Sequence, residues 1–592
     1  MMSLKWTSVA AIAALSLVAC QQDTTSTETT EAETPPTETA ADESWPHGAM
    51  VSAADPRAVE AGLEVLRAGG NAVDAAIAVH AVLGLVEPQS SGIGGGAFMV
   101  IRDGTTGEVT VVDGRETAPM AATEDLFMEN GQVLDYITAW QSGRSVGVPS
   151  VVALYGKAHE IAGQAEWSTL FAGAIDLADE GFVVSPRLAG FLSNQRIRDF
   201  TQLDDHPVSA PYFYPNGEPL AEGDVRTNPD YAATLTAIAE QGMDGFYNEA
   251  VGEAIVAAVS AEPMPGAMTV ADFLAYEAIV RDPLCADWRD MTVCSAPPPS
   301  SGGITQNMIP ALYDRLVPEN ASENEQIKAF VDAQRLSYAD RDHYVADADF
   351  VEVPSEDLIN PTYLDARAAE VFEPGDAPQA GDPGQVLRGE PIIDMWGRDT
   401  TDEAAGTTHL SVVDFQGNAV SMTATVESVF GNSRMVNGFL LNNELTDFAR
   451  DPRIEGKLVA NAPAGGKRPR SSMSPTVISS GDDLVMVTGS PGGNSIVAYV
   501  SKTVLGVFDW GMTPQEATDF PNIIARGKEV RVEIGRPGGP EAALALRDMG
   551  YPVQESEGEN SGLHLILVTE DGLLGAADPR REGVAVALDP VE

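Results

Sequence analysis

Apolar residues recur at helical spacing over residues 56–67, where Val59, Leu63 and Leu66 share one face. Gly69-Gly70-Asn71 punctuates that run, and residues 73–86 are apolar at nearly every position, which predicts a buried helix. The glycine-rich stretch Gly92-Ile93-Gly94-Gly95-Gly96 then leads into Ala97-Phe98-Met99-Val100-Ile101. A turn over 104–107 joins this run to 109–112, so the pair predicts a hairpin. Residues 150–280 read as helices broken by Gly and Pro. A rigid loop at 297–303 precedes helices that run to about residue 345. Pro, Gly and Asp crowd residues 373–406, which predicts an exposed loop reachable by processing. At 407 strand-like alternation takes over: 408–413 and 419–426 are joined by Phe415-Gln416-Gly417-Asn418. A strand at 484–488 ends at Gly489-Ser490-Pro491-Gly492-Gly493, a helix follows to about 507, and 563–568 and 584–588 read as closing strands.

The 592 residues carry 88 acidic and 35 basic side chains, a formal charge of −53, with 44% hydrophobic content. Such a chain buries a large core, and length alone suggests three or four domains. The charge repels phosphates and argues against a nucleic-acid partner. Lys5 followed by an apolar run at 9–19, too short to span a bilayer, ends in Leu17-Val18-Ala19-Cys20. This resembles a bacterial lipoprotein signal, with Cys20 lipidated and the protein held on a membrane facing the periplasm or cell surface; the alternative is an ordinary secretory signal. Residues 21–46, rich in Thr, Glu, Pro and Ala without a basic residue, read as a disordered tether. The remaining cysteines, Cys285 and Cys294, flank two short strands and a turn, so they read as a disulfide or as two buried free thiols.

Two short motifs carry little. Gly92-x-Gly94-x-x-Ala97 matches a dinucleotide pattern, but it follows a helix and opens a strand, the reverse of the order that chemistry requires. Gly143-x-Ser145-x-Gly147 matches the serine-hydrolase elbow, but no strand precedes it and Pro149 stands where a helix would begin. The seven histidines show no metal-ligand spacing, and His409 reads as a structural neighbour of Thr407.

Thr407 is different. If the chain is cut between Gly406 and Thr407, one residue carries both a hydroxyl nucleophile and a free α-amine base. Around it, GTTHLSVVD, LLNNELTDF, GKRPRSSMSPT and GSPGG follow in order; GGNAVDAAIA, SGIGGGAFMVI, DGRETAP and PPPSSGG precede them. Together these strings resemble the γ-glutamyltransferase family of N-terminal-nucleophile hydrolases, from about residue 47 to the end.

The resemblance implies an α/β (α+β) fold: a four-layer αββα sandwich made by two subunits of one self-cut precursor. The boundaries are then a signal peptide at 1–19, a lipidated tether at 20–46, a large subunit at 47–406 and a small catalytic subunit at 407–592. It implies cleavage of γ-glutamyl amides such as glutathione through a Thr407 acyl-enzyme, with water or amino acids as acceptors and no cofactor or metal. Thr425 is implied to hydrogen-bond the nucleophile, and Gly492 and Gly493 to offer backbone N–H groups to the oxyanion. Arg115, Ser471 and Ser472 are implied to hold the α-carboxylate, and Glu444 and Asp447 the α-ammonium.

Two departures stand out. Glu427 occupies a position where family members often carry Asn. A third carboxylate beside the ammonium, at about 4 Å and an effective dielectric near 20, is worth roughly 4 kcal/mol before desolvation. It favours γ-glutamyl donors over glutaryl amides, unless repulsion among three acids turns it away or protonates it. Residues 450–466, a lid with an aromatic in several members, lack Phe, Tyr and Trp here, which predicts a more open pocket. The rival readings are a glutaryl/cephalosporin-type acylase of the same family and an unprocessed binding protein.

Overall fold

Two β-sheets lie face to face between two layers of helices. This computed structural model describes residues 45–370, 372–403 and 406–590; the signal, Cys20 and nearly all of the tether lie outside them. The described residues belong to one unit, not the three or four that length suggests.

Thirteen strands build the sheets. Those before residue 400 are β1 (Ala49–Ala53), β2 (Gly96–Arg102), β3 (Val109–Gly114), β4 (Ile279–Arg281), β5 (Leu284–Trp288) and β6 (Met291–Ser295). After it come β7 (Thr407–Val413), β8 (Ala419–Thr425), β9 (Thr476–Ser480), β10 (Asp483–Gly489), β11 (His564–Thr569), β12 (Gly572–Ala577) and β13 (Val584–Leu588). The first sheet has the order β13-β1-β7-β8-β2-β3-β4 and the second β12-β11-β10-β9-β6-β5. Strands from the two parts of the chain are therefore interleaved in the first sheet.

The outer layer on the first sheet includes α1 (Pro56–Arg67), α2 (Ala72–Val86) and α3 (Val151–Ala162). Asp55 caps α1 by accepting from the Arg57 N–H at 2.8 Å, with Pro56 at the first helical position. Asn71 and Asp74 close a capping box on α2, which is buried at all but one position, as its unbroken apolar sequence requires. The second sheet is covered by α4 (Gly302–Leu316), α5 (Glu323–Tyr344) and α6 (Ile496–Phe508). Among the described residues no helix is long and apolar enough to cross a membrane.

On β7 and β8 alternation divides the side chains. Leu410, Val412, Val420 and Met422 join the core under α2. Ser411 and Ser421 point the other way and tie the sheets together, donating to the carbonyls of His564 and Thr488 at 2.9 Å each. Cys285 and Cys294 lie opposite each other across the β5–β6 hairpin and form a disulfide.

One expectation needs correction. The stretch at 373–406 is not simply an exposed loop. It holds a short helix, Pro383–Arg388, and near its end Asp399, Thr401 and Glu403 are buried. Acidic residues suggest solvent, but these acids meet buried arginines from distant parts of the chain. The 450–466 segment folds back on that stretch as a small hairpin, with Gly397 bridged to Val459 and Lys457 paired with Asp394 at 2.6 Å. The Gly143–Ser145 segment is a 3-10 turn in which Ser145 donates to the carbonyls of Trp140 and Ser142, so it forms no elbow.

Candidate active site

Thr407, 3% exposed, begins β7 directly opposite Thr425, the last residue of β8. Their hydroxyl oxygens are 3.2 Å apart. The Thr425 hydroxyl donates to the Gly406 carbonyl at 3.2 Å and accepts from the Glu427 N–H. One hydroxyl has one proton. Once it is spent on Gly406, the Thr407 hydroxyl is the donor between the two threonines. Thr425 thus points the nucleophile's proton at itself while polarising the carbonyl that precedes the nucleophile.

Close packing fixes this geometry. A Cβ on Gly406 would collide with the backbone of Ser428 and the Glu427 carbonyl, and one on Gly95 with the Thr425 carbonyl. Within the glycine run at 92–96, Gly95 permits this approach to β8 and Gly94 an equally close one to the Leu440 carbonyl. The His409 ring is held between Thr423 Oγ1 at 2.9 Å and Ser411 Oγ at 3.1 Å. Burial, reinforced by nearby His564, pushes its pKa well below the usual imidazole range, so it is neutral scaffolding.

Arg115 leaves the end of β3 and is buried among acceptors. It donates to the carbonyls of Pro469 (3.2 Å) and Arg470 (2.7 Å), reaches Asp447 Oδ2 at 2.6 Å and pairs with Glu444. Both acids sit on the 3-10 turn Glu444–Asp447. Glu427, in the left-handed region at φ 79°, takes the Asn443 side-chain amide on its carboxylate. Burial and then the Glu427 charge raise the Asp447 pKa well above the usual carboxylate range, against the pull of Arg115. The three acids of the sequence reading are therefore neighbours that feel one another.

Ser471 and Ser472 lie beside the loop before α4: Ser301 donates to the Ser471 carbonyl, and Arg341 of α5 donates to the Ser472 hydroxyl. Gly492 and Gly493, in the turn between β10 and α6, have φ of 138° and 55°, so a side chain at either is strained. A polar cleft of about 560 Å³ borders Gly492, Glu403, Asn494, Arg526 and Arg531. Its floor is the end of the pre-407 segment. Arg470 lies 2.9 Å from Asp399 and 3.2 Å from Glu403, Arg341 pairs with Glu403, and Asn461 donates to Asp399 at 3.1 Å and to the Asp447 carbonyl at 2.7 Å.

Residues 58–588 match the family described as Gamma-glutamyltranspeptidase. The chain belongs to that family. Two relatives named "Glutathione hydrolase proenzyme" are each 34% identical to it: one from Bacillus subtilis (strain 168), over 91% of this chain and 91% of the relative, and one from Escherichia coli (strain K12), over 90% of each. Among solved structures, a cephalosporin acylase from Bacillus halodurans aligns with a TM-score of 0.79 at 26% identity, covering 94% of this chain and 99% of that one.

Within this gamma-glutamyltranspeptidase frame, the structure gathers Thr407, Thr425 and Gly406 at one strand end, and Arg115, Glu444 and Asp447 in one ion-paired cluster beside Glu427. Sequence reading missed Arg341, Arg470, Asp399 and Glu403. Arg470 stood inside the GKRPRSSMSPT string but was not weighed singly; the two acids were hidden by the loop-like composition around them.

Proposed function

We propose that this chain is a self-processing γ-glutamyltransferase/glutathione hydrolase that works through a threonine acyl-enzyme. The observation that carries the reading is the Thr425 hydroxyl, within 3.2 Å of both the Thr407 hydroxyl and the Gly406 carbonyl oxygen. In the uncut chain Thr407 Oγ1 attacks the Gly406 carbonyl carbon, the C–N bond breaks as the ester forms, and water hydrolyses the ester. The products are a carboxylate at Gly406, ending the 47–406 subunit, and a free amine at Thr407, starting the 407–592 subunit.

That amine then takes the Thr407 hydroxyl proton as the hydroxyl attacks a γ-glutamyl amide, and returns it to the leaving amine. Gly492 and Gly493 offer N–H groups to the developing oxyanion. Water or an amino acid removes the acyl group. An amino-acid head brings an ammonium and a carboxylate together, so it can enter an ion-paired cluster without leaving net charge behind. Its ammonium meets Glu427, Glu444 and Asp447; its carboxylate meets Arg115, Ser471 and Ser472.

The relatives' names support glutathione as a donor, and export with a lipid on Cys20 follows from the leader. The acylase likeness keeps glutaryl amides as a second reading; the acid cluster favours donors with an α-amine. Two bands of roughly two-thirds and one-third mass on a denaturing gel, the smaller starting at Thr407, are expected for the matured protein. It should release p-nitroaniline from γ-glutamyl-p-nitroanilide faster than from the glutaryl analogue. A processed protein that releases none defeats the proposal. Intact mass of membrane-extracted protein tests the lipid.

A further inference from the structure

We infer that Arg341 and Arg470, with the Ser472 hydroxyl, form a carboxylate-binding site, filled in the uncut chain by Glu403 and opened to a carboxylate of the γ-glutamyl donor once Glu403 leaves. Arg115, assigned above to the same carboxylate, already holds two carbonyls and two carboxylates and leaves room for further cationic partners. Arg341 and Arg470 are fully buried as well, and the counter-ion they share is Glu403. Arg341 keeps Asp342 at 2.9 Å and the Ser301 hydroxyl at 3.0 Å. Among the described residues, the acids paired with Arg470 are Asp399 and Glu403 alone. Its two terminal nitrogens make no hydrogen bond, since Asp399, though near, is out of line. They are buried donors without a hydrogen-bond acceptor.

Glu403 is bound as a ligand would be. Burial raises its pKa, but Arg341, Arg470 and hydrogen bonds with Ser472 and Arg341 overcome that and hold it down at about 2. Asp399 and Glu403 both precede the cut, seven and three residues from Gly406. Cleavage frees the chain end that carries them. A buried guanidinium without a counter-charge is costly, so a vacated site of this kind favours an incoming carboxylate. Glu403 also lines the cleft that borders Gly492, so the place it leaves adjoins the proposed oxyanion loop.

The identity of the eventual occupant rests on the proposed γ-glutamyl chemistry; the site itself does not. In full-length protein kept whole by Thr407→Ala, Glu403→Ala removes atoms equivalent to one acetate. Acetate, against chloride at equal ionic strength, should raise the melting temperature of that double variant and leave Thr407→Ala unmoved. Adding Arg470→Leu should weaken the apparent acetate affinity at least about tenfold, the loss expected for one charge-assisted hydrogen bond; Arg470→Lys serves if the leucine variant does not fold. Folded double variant without acetate stabilisation overturns the inference.

In processed Arg470→Leu, a raised KM for γ-glutamyl-p-nitroanilide assigns the α-carboxylate. A raised KM for γ-glutamylglycine alone assigns a carboxylate on the leaving side. No change in either overturns the inference. Failure of the function reading shows elsewhere: wild-type protein that stays uncut, or is cut and inert, leaves the acetate experiment intact.

Discussion

Replacing Thr425 by Ala removes one hydroxyl and with it three contacts: to the Thr407 hydroxyl, to the Gly406 carbonyl and from the Glu427 N–H. Self-cleavage builds negative charge on the Gly406 oxygen, the atom to which Thr425 donates. Loss of one such donor typically slows acyl transfer about 10²–10³-fold. At 3.2 Å the bond is longer than the usual O–H···O range, so the lower figure applies: about a hundredfold, or roughly 2.7 kcal/mol of barrier. The variant also removes the hydrogen bond from the Glu427 N–H, at a stability cost of about 0.5–1.5 kcal/mol. Rate and stability must therefore be read separately. Freshly synthesised protein is followed on a denaturing gel for conversion of one band to two, with melting temperature measured on the same sample. Thr425→Ser keeps the hydroxyl and should process within a few-fold of wild type. Folded Thr425→Ala that converts at the wild-type rate would show that this hydroxyl does not act on the scissile carbonyl.

Glu427→Asn should lower the preference for γ-glutamyl- over glutaryl-p-nitroanilide, measured as a ratio of kcat/KM, by about tenfold or more, since one carboxylate facing the ammonium is lost. An unchanged ratio would place Glu427 outside ammonium recognition. Glu116 is buried with neither carboxylate oxygen hydrogen-bonded, and burial raises its pKa from 4.5 to about 8 despite Arg115. The folded state thus holds a proton that the unfolded chain loses, so wild-type stability falls as pH rises from about 4.5 to 8. Glu116→Gln should gain in melting temperature relative to wild type across that window; a constant difference refutes the assignment. Replacing both Cys285 and Cys294 by Ser should cost about 2–3 kcal/mol in denaturant unfolding of protein kept whole by Thr407→Ala, given the short loop they close, and leave turnover of the processed protein unchanged.

Much of the fold was legible because its signals are local. The alternation of β7 and β8, the β2–β3 hairpin and the capped helices α1 and α2 all lie in windows of under twenty residues. The place of Thr407 at a strand start was legible too. What escaped was long-range charge pairing. Glu403 and Asp399 have the composition of a solvated loop, and only the fold brings Arg341 and Arg470, some sixty residues away on either side, to meet them. The saturation of Arg115 by Glu444 and Asp447 was equally out of reach, since a motif names residues without saying which already hold each other.

The interleaved order of the first sheet has a consequence for the life of the molecule. β1 is hydrogen-bonded to β7 on one side and β13 on the other, and β8 to β2, so chain from both sides of residue 406 is stitched together at three seams of one sheet. Two polypeptides woven this way cannot part without tearing the fabric, and they were threaded while still one. After a cut at 406, rebuilding the sheet becomes a meeting of two pieces, since the β1–β7, β1–β13 and β8–β2 pairings all cross between them. Durability then depends on how slowly the weave opens rather than on any balance between opened and closed forms.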